Sequence, residues 1–255
     1  MKLQLWRNAT LLLNIDGLSI LIDPMLGVKG SLGQFPMVDN ELLNPLVDLP
    51  FTEEELQEKL KTIDAVAVTH LHPDHWDPKA IELLDKNVPI ICPEIISEQI
   101  SEAGFKNVIV FNDTVQFKNI EISLTNGHHG TGEIEEQMGV VHGFVFKNAE
   151  QSVYIVGDSI WCEEVEQAIK KHQPEHIVVA GGAATFVVGD PIVMTSHDIL
   201  KVCETAPNSK VWVTHLETVS HSKEDRKFIK EKIQENGLEE RCFVLNDGEE
   251  AELGT

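Results

Sequence analysis

The sequence predicts a single layered α/β domain. Short apolar runs typical of strands alternate with capped helical segments along most of the 255 residues. A chain of this length can bury a sizeable core within one domain. Its 42% apolar and 24% charged residues are those of a globular protein. We therefore expect one domain that spans residues 1–255.

Strands are predicted wherever a short apolar run is bounded by turn residues. In chain order these runs are 10–14, 19–22, 63–69, 88–92, 107–111, 115–117, 120–125, 140–146, 152–156, 176–180, 210–214 and 241–245. The glycine-rich stretch 181–189 is also predicted as a strand with turns. It is not predicted as a phosphate-binding loop, because it lacks the glycine and lysine spacing of such loops.

Capping signals predict where the helices begin and end. Thr52 and Glu55 have the spacing of a capping box, and Asp77 precedes a proline at the first helical position. Ser196 and Ser222 are the expected N-cap residues of two later helices. The predicted helices are 52–61, 78–86, 94–103, a segment that ends before Pro174, 196–206 and 222–237.

The stretch 24–52 is the least regular part of the chain. Its glycines, prolines and apolar residues predict a lid over a site or a surface excursion packed against the sheet. The apolar residues also favour a contact between subunits, so a homo-oligomer is expected as an option. Just before it, Asp23 is placed either to orient a catalytic histidine or to serve as an ordinary turn residue before proline.

Composition excludes several classes of partner. The net charge of -22 opposes binding to nucleic acid or to anionic membranes, so we expect a small-molecule substrate, anionic only if a few cations line its pocket. Four widely spaced cysteines without a C-x-x-C pair predict reduced thiols. The first residues fit neither a signal peptide nor a membrane span, which favours a cytoplasmic protein.

Metal-binding residue types are concentrated in the stretch Thr-His-Leu-His-Pro-Asp-His-Trp-Asp, directly behind the predicted strand 63–69. Side chains two apart on a strand point the same way, so His70 and His72 can present both rings to one metal. Asp74 and His75 follow after a proline and suit a second metal. Imidazole and carboxylate together suit zinc, manganese or iron, and such a cluster would be costly to bury without a metal.

Further ligand types follow other predicted strands. They are His128 or His129, Asp158 and His215, and ligands commonly lie at the carboxyl ends of strands in α/β sheets. The pattern V-x-V-T-H-L occurs at both 66–71 and 211–216, which fits two related halves facing one cleft or a coincidence. Two metals about 3.5 to 4 Å apart can share a hydroxide that attacks a substrate.

The histidine-rich stretch resembles the H-x-H-x-D-H signature of the metallo-β-lactamase-fold hydrolases, and the later residues come in that superfamily's order. The ascorbate-6-phosphate lactonase-like branch is the most similar. The resemblance implies a four-layer αβ/βα sandwich and a centre of two divalent ions, with zinc favoured and manganese as the alternative. It implies these ligands: His70, His72 and His129 for the first metal, Asp74, His75 and His215 for the second, and Asp158 bridging both.

Comparison within that superfamily also narrows the function. Relatives place the ligand directly before glycine, which favours His129 over His128. Some β-lactamases have cysteine where Asp158 stands, and oxygen-reducing diiron members have glutamate where His72 stands. The resemblance therefore implies a hydrolase whose metal-bridging hydroxide attacks a small lactone, ester or phosphodiester. A non-catalytic, regulatory metal-binding protein is the alternative, and a diiron redox protein is a third.

Other polar residues are given further roles in this scheme. Asp74 is expected to orient the nucleophile or accept its proton, and His221 is the candidate acid for the leaving group. Glu217 and His221 are also compatible with substrate contact or with polar positions at a helix entry. The cations Arg7, Lys29, Lys223 and Arg226 are expected to be solvated surface charges, with Lys223 and Arg226 the first candidates for a substrate phosphate.

Overall fold

Two mixed β-sheets packed face to face form the centre of the molecule. The structure, a computed structural model, describes residues 1–254. Apolar side chains from both sheets meet between them, among them Leu13 and Ile20 from the first sheet and Phe144 and Phe146 from the second. Helices cover the outer side of each sheet. The described chain therefore has the predicted four-layer αβ/βα arrangement.

The first sheet combines N-terminal strands with one strand from the other end of the chain. Its members are β1 (Lys2–Arg7), β2 (Thr10–Ile15), β3 (Leu18–Ile22), β4 (Ala65–Ala67), β5 (Pro89–Pro93), β6 (Asn107–Phe111) and β14 (Glu250–Glu252). Their order across the sheet is β14-β1-β2-β3-β4-β5-β6. Neighbours from β14 to β3 are antiparallel, and neighbours from β3 to β6 are parallel.

The second sheet repeats this division into an antiparallel and a parallel half. Its members are β7 (Thr114–Phe117), β8 (Ile120–Gly127), β9 (Val141–Lys147), β10 (Ser152–Ile155), β11 (His176–Ala180), β12 (Lys210–Thr214) and β13 (Cys242–Val244). Their order is β13-β12-β11-β10-β9-β8-β7, with β7 to β10 antiparallel and β10 to β13 parallel. Counted from the antiparallel edge, the repeated V-x-V-T-H-L pattern lies on the fifth strand of one sheet and on the sixth of the other. The pattern therefore marks a shared local exit geometry rather than equivalent positions in two halves.

Three helices pack on the outer side of each sheet through their apolar faces. Those on the first sheet are α1 (Glu53–Leu60), α2 (Pro78–Leu83) and α3 (Glu94–Glu102). Those on the second are α5 (Glu163–His172), α6 (Ser196–Thr205) and α7 (Arg226–Glu235). The short helix α4 (Glu133–Met138) instead lies beside the strand ends, where Ile134 packs against Ala184 and Ile192.

The sequence did not predict three of these elements. The strands β1 and β14 and the helix α4 lack the capped or bounded apolar run on which the predictions rested. The prediction of a strand within 181–189 is wrong, because this stretch forms bends, with Gly182 and Gly189 at positive φ of 90° and 100°. Its residues Ala184 and Phe186 pack around the strand ends instead of extending a sheet.

Two predicted helix caps are also corrected by the structure. The N-cap residue of α6 is Thr195 and not Ser196. Thr195 forms a capping box with Asp198. The N-cap residue of α7 is Asp225, whose side chain accepts a hydrogen bond from the Phe228 N–H at 2.7 Å. In both cases the cap lies one to three residues from the expected serine, because several neighbouring side chains were competent to cap.

The state of the cysteines and the length of the helices relate to the predicted cytoplasmic location. All four cysteines are free, and three of them, Cys92, Cys203 and Cys242, are buried. No helix in residues 1–254 has the length and apolar character needed to cross a membrane. The cytoplasmic location stays a prediction from cysteine usage.

Candidate metal centre

The predicted ligands converge because five strands end at the same edge of the sandwich. Asp23 follows β3, the histidine-rich stretch follows β4, His129 follows β8, Asp158 follows β10 and His215 follows β12. Two of these residues, Asp23 and His215, adopt positive φ angles of 45° and 63°. Such angles are uncommon outside glycine, and they turn the chain sharply at the point where each side chain enters the cleft.

Three imidazoles form the first group of ligand atoms. His70 Nε2 lies 3.1 Å from His72 Nδ1, and His129 Nε2 lies 3.3 Å from the same atom. His70 and His129 are buried, whereas His72 is half-buried and faces the cleft. The ligand atoms of the three rings all lie within 4.8 Å of one another, and these are the three histidines predicted for the first metal.

The second group combines two carboxylates with two imidazoles, and all four side chains are buried. His215 Nε2 lies 3.1 Å from Asp74 Oδ2. His75 Nε2 lies 3.8 Å from the same oxygen. The ligand atoms of this group all lie within 4.8 Å of one another.

Asp158 lies between the two groups. Its Oδ2 atom is 3.0 Å from His75 Nε2 and 3.3 Å from His215 Nε2 in the second group. The same oxygen is 3.8 Å from His129 Nε2 in the first group. Its position is therefore that expected of a bridging ligand, and its role as one stays a prediction.

Hydrogen bonds on the far side of each ring determine which nitrogen faces the cleft. Thr69 Oγ1 donates to Asp23 Oδ2 at 2.7 Å, so it accepts from His70 Nδ1 at 2.9 Å. His75 Nδ1 donates to Asp23 Oδ2 at 2.9 Å. His129 Nδ1 donates to the carbonyl oxygen of Ile192 at 2.7 Å. Each of these three rings is thereby held with its Nε2 toward the cleft, as metal-binding histidines usually are.

Asp23 therefore has the orienting role that the sequence left open. Besides His75 and the Thr69 hydroxyl, it accepts the Thr69 backbone N–H at 2.8 Å. It is almost fully buried, with an exposed fraction of 1%. An ordinary turn aspartate would not make three buried hydrogen bonds of this kind.

Burial and mutual charge shift the pKa values of the ligands in opposite directions. Burial lowers the pKa of His129 to about 4 and that of His70 well below its usual range. Burial opposes the charged form of His215 as well, but Asp158 and Asp74 outweigh it and raise its pKa to about 9. Burial also opposes ionisation of Asp158, yet the charges of His215 and His75 hold its pKa well below the usual value.

The residues fit a pair of divalent cations on two observations. The buried atoms His75 Nε2 and Asp158 Oδ1 have no hydrogen-bond partner of acceptable geometry among residues 1–254. Orphaned buried polar atoms are rare and point to a missing ion or water. The donor set contains only imidazole nitrogen and carboxylate oxygen, which suits a hydrolytic metal rather than a structural thiolate site.

The structure also separates the two candidate histidines. His128 points away from both ligand groups and contacts Glu135 and Glu164 instead. His129 points into the first group. His129 therefore lies with the other residues predicted for the first metal, and its role as a ligand stays a prediction.

A cavity of about 200 Å³ adjoins both ligand groups. His72, Asp74, His129 and Asp158 lie in its wall. The rest of the wall is mostly apolar and consists of Phe35, Pro36, Pro73, Met138, Phe186, Ile192 and His221. The predicted acid His221 thus lies at the cavity, where its ring stacks on Phe186 at a centroid distance of 4.8 Å.

The stretch 24–52 contributes Phe35 and Pro36 to this wall and is hydrogen-bonded to the segment that follows β12. Asn44 accepts the Ser220 N–H at 2.7 Å and donates to the Ser220 hydroxyl at 3.2 Å. Leu46 donates its N–H to the carbonyl of Thr218 at 2.8 Å. The stretch therefore covers part of the cavity, and its function as a moving lid stays a prediction.

The structure corrects the expectation that all four nearby cations are surface charges. Arg7 is fully buried and donates to the carbonyls of Met25 and Gly27 at 2.8 Å. Arg226 contacts Glu217 and Asp247 at 2.6 Å each, so it is committed to neighbouring carboxylates. Neither arginine lines the cavity.

Lys223 keeps the predicted exposed position but does not line the cavity either. Its Nζ lies 3.8 Å from Asp39. Glu217 is engaged by Arg226, which favours the second of its two expected roles, a polar position at a helix entry. Sequence reasoning missed the roles of Met138, Phe186 and Ile192 in the cavity wall, because apolar residues in a loop carry no chemical signature.

Comparison with known proteins agrees with this site. Residues 19–216 match the family model described as the β-lactamase superfamily domain. The chain belongs to the β-lactamase superfamily. It is 38% identical to the UPF0173 protein YddR of Bacillus subtilis over 95% of this chain and 96% of that protein.

Two solved structures place this β-lactamase superfamily member among metal-dependent hydrolases. A possible metal-dependent hydrolase from Veillonella parvula is 32% identical, with a TM-score of 0.94 and 98% of each chain covered. An isothiocyanate hydrolase from Delia radicum gut bacteria is 32% identical, with a TM-score of 0.93 and 99% of each chain covered. The family and these relatives make the protein a metal-dependent hydrolase.

Proposed function

We propose that this protein hydrolyses small uncharged molecules in which an electrophilic carbon adjoins an apolar group. The observation that carries the proposal is the apolar cavity of about 200 Å³ beside both ligand groups. Its volume is below the roughly 300 to 1,000 Å³ typical of sites for drug-sized ligands, which favours a small substrate. Among the described residues that line it there is no lysine or arginine, so an anionic group would find no cationic side chain there.

Two substrate types meet this description. Small lactones and esters, expected from the sequence, present an electrophilic carbonyl carbon beside an apolar chain. Isothiocyanates, R–N=C=S, present an equally small electrophilic carbon, and we favour them because a relative of 32% identity is named an isothiocyanate hydrolase. Addition of one water to that carbon, followed by cleavage of the C–N bond, converts the substrate into an amine and carbonyl sulfide. Phosphodiesters, the third expected type, fit the apolar wall least well.

We also propose two divalent ions at the centre, zinc first and manganese second. When bound, such ions supply a hydroxide nucleophile at neutral pH and polarise the substrate. His70, His72 and His129 would hold one ion, and Asp74, His75 and His215 the other. Asp158 lies between the two groups, and the rings of His70, His75 and His129 are oriented by the hydrogen bonds described above.

Two side chains of the cavity have further roles in the proposal. Burial opposes ionisation of Asp74, but His75 and His215 outweigh it and lower its pKa, so its carboxylate is available to orient the nucleophile or accept its proton. Burial lowers the pKa of His221 to about 4, which keeps its ring neutral at pH 7. A neutral His221 is suited to donate a hydrogen bond to the substrate heteroatom that gains charge, rather than to transfer a full proton.

A substrate panel tests the proposal. Protein stripped of metal and then loaded separately with zinc or manganese would be given phenethyl isothiocyanate, a small alkyl lactone, p-nitrophenyl acetate and bis-p-nitrophenyl phosphate. We expect metal-dependent turnover of at least one uncharged substrate, with kcat/KM for the phosphodiester lower by about 10-fold or more, equivalent to about 1.4 kcal/mol. Turnover of the phosphodiester alone, or equal rates without metal, would contradict the proposal.

A matched pair of variants tests the role of the apolar wall. Phe186→Ala removes a ring that lines the cavity, whereas Val187→Ala changes its neighbour, which is 60% exposed and does not line it. Loss of about 1 kcal/mol of apolar contact predicts a roughly 5-fold fall in kcat/KM for Phe186→Ala. The Val187→Ala variant should keep the original value, and an equal effect in both would refute a specific role for the wall.

A further inference from the structure

A second cluster of metal-binding side chains lies outside the centre described above. The ligand atoms of His128, Cys162 and Glu164 all lie within 4.8 Å of one another. His128 follows β8, Cys162 is the N-cap residue of α5, and Glu164 lies in the first turn of that helix. His128 Nε2 lies 3.1 Å from Glu164 Oε2.

We propose that this cluster is a third, separate metal site with zinc as its ion. Thiolate, imidazole and carboxylate are the three ligand types that zinc uses, and three protein ligands leave a fourth tetrahedral position for water. In a tetrahedral zinc site the ligand atoms lie roughly 3 to 4 Å apart, given bond lengths of about 2.0 to 2.3 Å. The observed spread of the cluster is close to this range, so small side-chain rotations would complete the site.

The contact on the far side of His128 supports the proposal. Its Nδ1 atom pairs with Glu135, on α4, while Nε2 lies 3.1 Å from Glu164 Oε2. A ligating histidine almost always passes its other N–H to a carboxylate or carbonyl, and this partner fixes the ring and raises its basicity. Glu135 occupies the place of that partner.

An ion pair between a protonated His128 and two glutamates is the competing explanation for these contacts. It would account for Glu135 and Glu164 but gives no reason for a thiol at the same point. Cys162 lies beside Ser159, whose hydroxyl is 3.6 Å from its sulfur, and burial raises the pKa of the thiol. Zinc binding would release the Cys162 proton and replace the proton on His128 Nε2.

The position of the cluster links it to the main centre without sharing ligands. His128 directly precedes His129, and its N–H donates to the Ser159 hydroxyl at 3.0 Å, next to Asp158. An ion at the cluster would therefore hold together the loop that carries His129 and the loop that carries Asp158. The side chains of His128 and Glu164 are each 39% exposed, so the ion would exchange with solvent more readily than ions in the buried centre.

Metal counting on the full chain tests the proposal. The chain would be loaded with Zn²⁺, freed of unbound ions by gel filtration and analysed by mass spectrometry. We expect about three zinc ions per chain in the original protein and about two in Cys162→Ala or Cys162→Ser. Cys92→Ala, which removes a buried thiol from β5, is the matched control and should keep about three.

Cobalt loading gives a readout that does not depend on the count. Co²⁺ bound to a thiolate absorbs in the near ultraviolet, and this band should be present in the original protein and in His70→Ala, which disrupts the main centre only. It should be absent in Cys162→Ser. In Glu135→Gln the affinity for Co²⁺ should fall by about 10- to 100-fold, as for other partners of ligating histidines.

Two outcomes would overturn the inference. One is a saturated count of no more than about two ions in the original protein, with no change in the Cys162 variants. The other is a thiolate band that persists in Cys162→Ser. Because the main centre contains no cysteine, its own failure would appear instead as a loss of ions from the original protein with the thiolate band retained.

Discussion

Replacement of Asp23 by asparagine should weaken metal binding although residue 23 is not itself a ligand. Asp23 Oδ2 accepts hydrogen bonds from both the Thr69 hydroxyl and His75 Nδ1, and Oδ1 accepts the Thr69 backbone N–H. Asparagine keeps the shape but turns one of the two oxygens into an N–H donor. In either orientation of the amide, at least one buried donor then faces another donor.

The size of the effect of Asp23→Asn depends on which hydrogen bond is lost. If the amide nitrogen faces His75 Nδ1, the ring is driven to the tautomer that carries its proton on Nε2, the atom required for the metal. Loss of such a partner typically lowers metal affinity by about 10- to 100-fold, or about 1.4 to 2.8 kcal/mol. If the amide nitrogen instead faces the Thr69 N–H, the unsatisfied donors lower the free energy of unfolding by about 1 to 3 kcal/mol.

The assay therefore measures both quantities. Zinc affinity by competition with a chromophoric chelator, and denaturant midpoints with and without metal, would be compared for Asp23→Asn and for Asp16→Asn. Asp16 lies in an exposed turn, where it pairs with Asn119 and Asn148, so its variant should keep the original zinc affinity. Zinc affinity and metal-free stability of Asp23→Asn that both equal those of the original protein would refute the orienting role.

Three further predictions concern the ligands and the loop that carries Asp158. His129→Ala should lose the ions of the main centre and activity. His128→Ala should keep most of both and lose at most the one ion of the proposed third site, as metal analysis and a rate assay will show. Gly157→Ala should be at least about 2 kcal/mol less stable to denaturant than Gly17→Ala: both positions have positive φ, of 74° and 75°, but only at 157 would a Cβ lie 2.4 Å from a carbonyl oxygen. In metal-free protein, the raised pKa of His215, about 9, means that stability present below pH 6.5 is lost as the pH rises through 9, by on the order of 3 kcal/mol. Denaturant midpoints at pH 7 and pH 10 test this, and unchanged midpoints would contradict it.

The sequence carried enough information to predict the layers and the residues that come together in the two ligand groups. Apolar runs and caps located the parallel strands, and a polar residue at each strand exit marked the edge where ligands gather. The histidine-rich stretch placed four candidate ligands, three histidines and one aspartate, within the six residues 70–75 directly behind a strand. The resemblance then selected the distant ligands Asp158 and His215, which single residues could not have done.

The features that escaped prediction depend on contacts between distant residues. The pairing of Asp23 with Thr69 and His75 joins residues about fifty positions apart and leaves no local pattern. The carbonyl of Ile192 that orients His129 lies just after the glycine-rich stretch 181–189, which was predicted as a strand with turns. Arg7 was expected at the surface because arginine usually is, yet it holds backbone carbonyls of the loop that begins at residue 24.

Protons and metal ions compete for the same buried atoms, and this competition explains the pattern of pKa values at the centre. Asp74 and Asp158 are ionised although buried, which is tolerable only if positive charge lies beside them. Without metal, that charge comes from protons on His75 and His215, whose pKa values are raised because the two carboxylates outweigh the effect of burial. Bound cations would supply the charge directly and leave both rings neutral, as ligation requires. The group with two carboxylates therefore contains positive charge both with and without metal. In the three-histidine group the lowered pKa values of His70 and His129 keep these rings neutral at pH 7, so metal binding there displaces no proton.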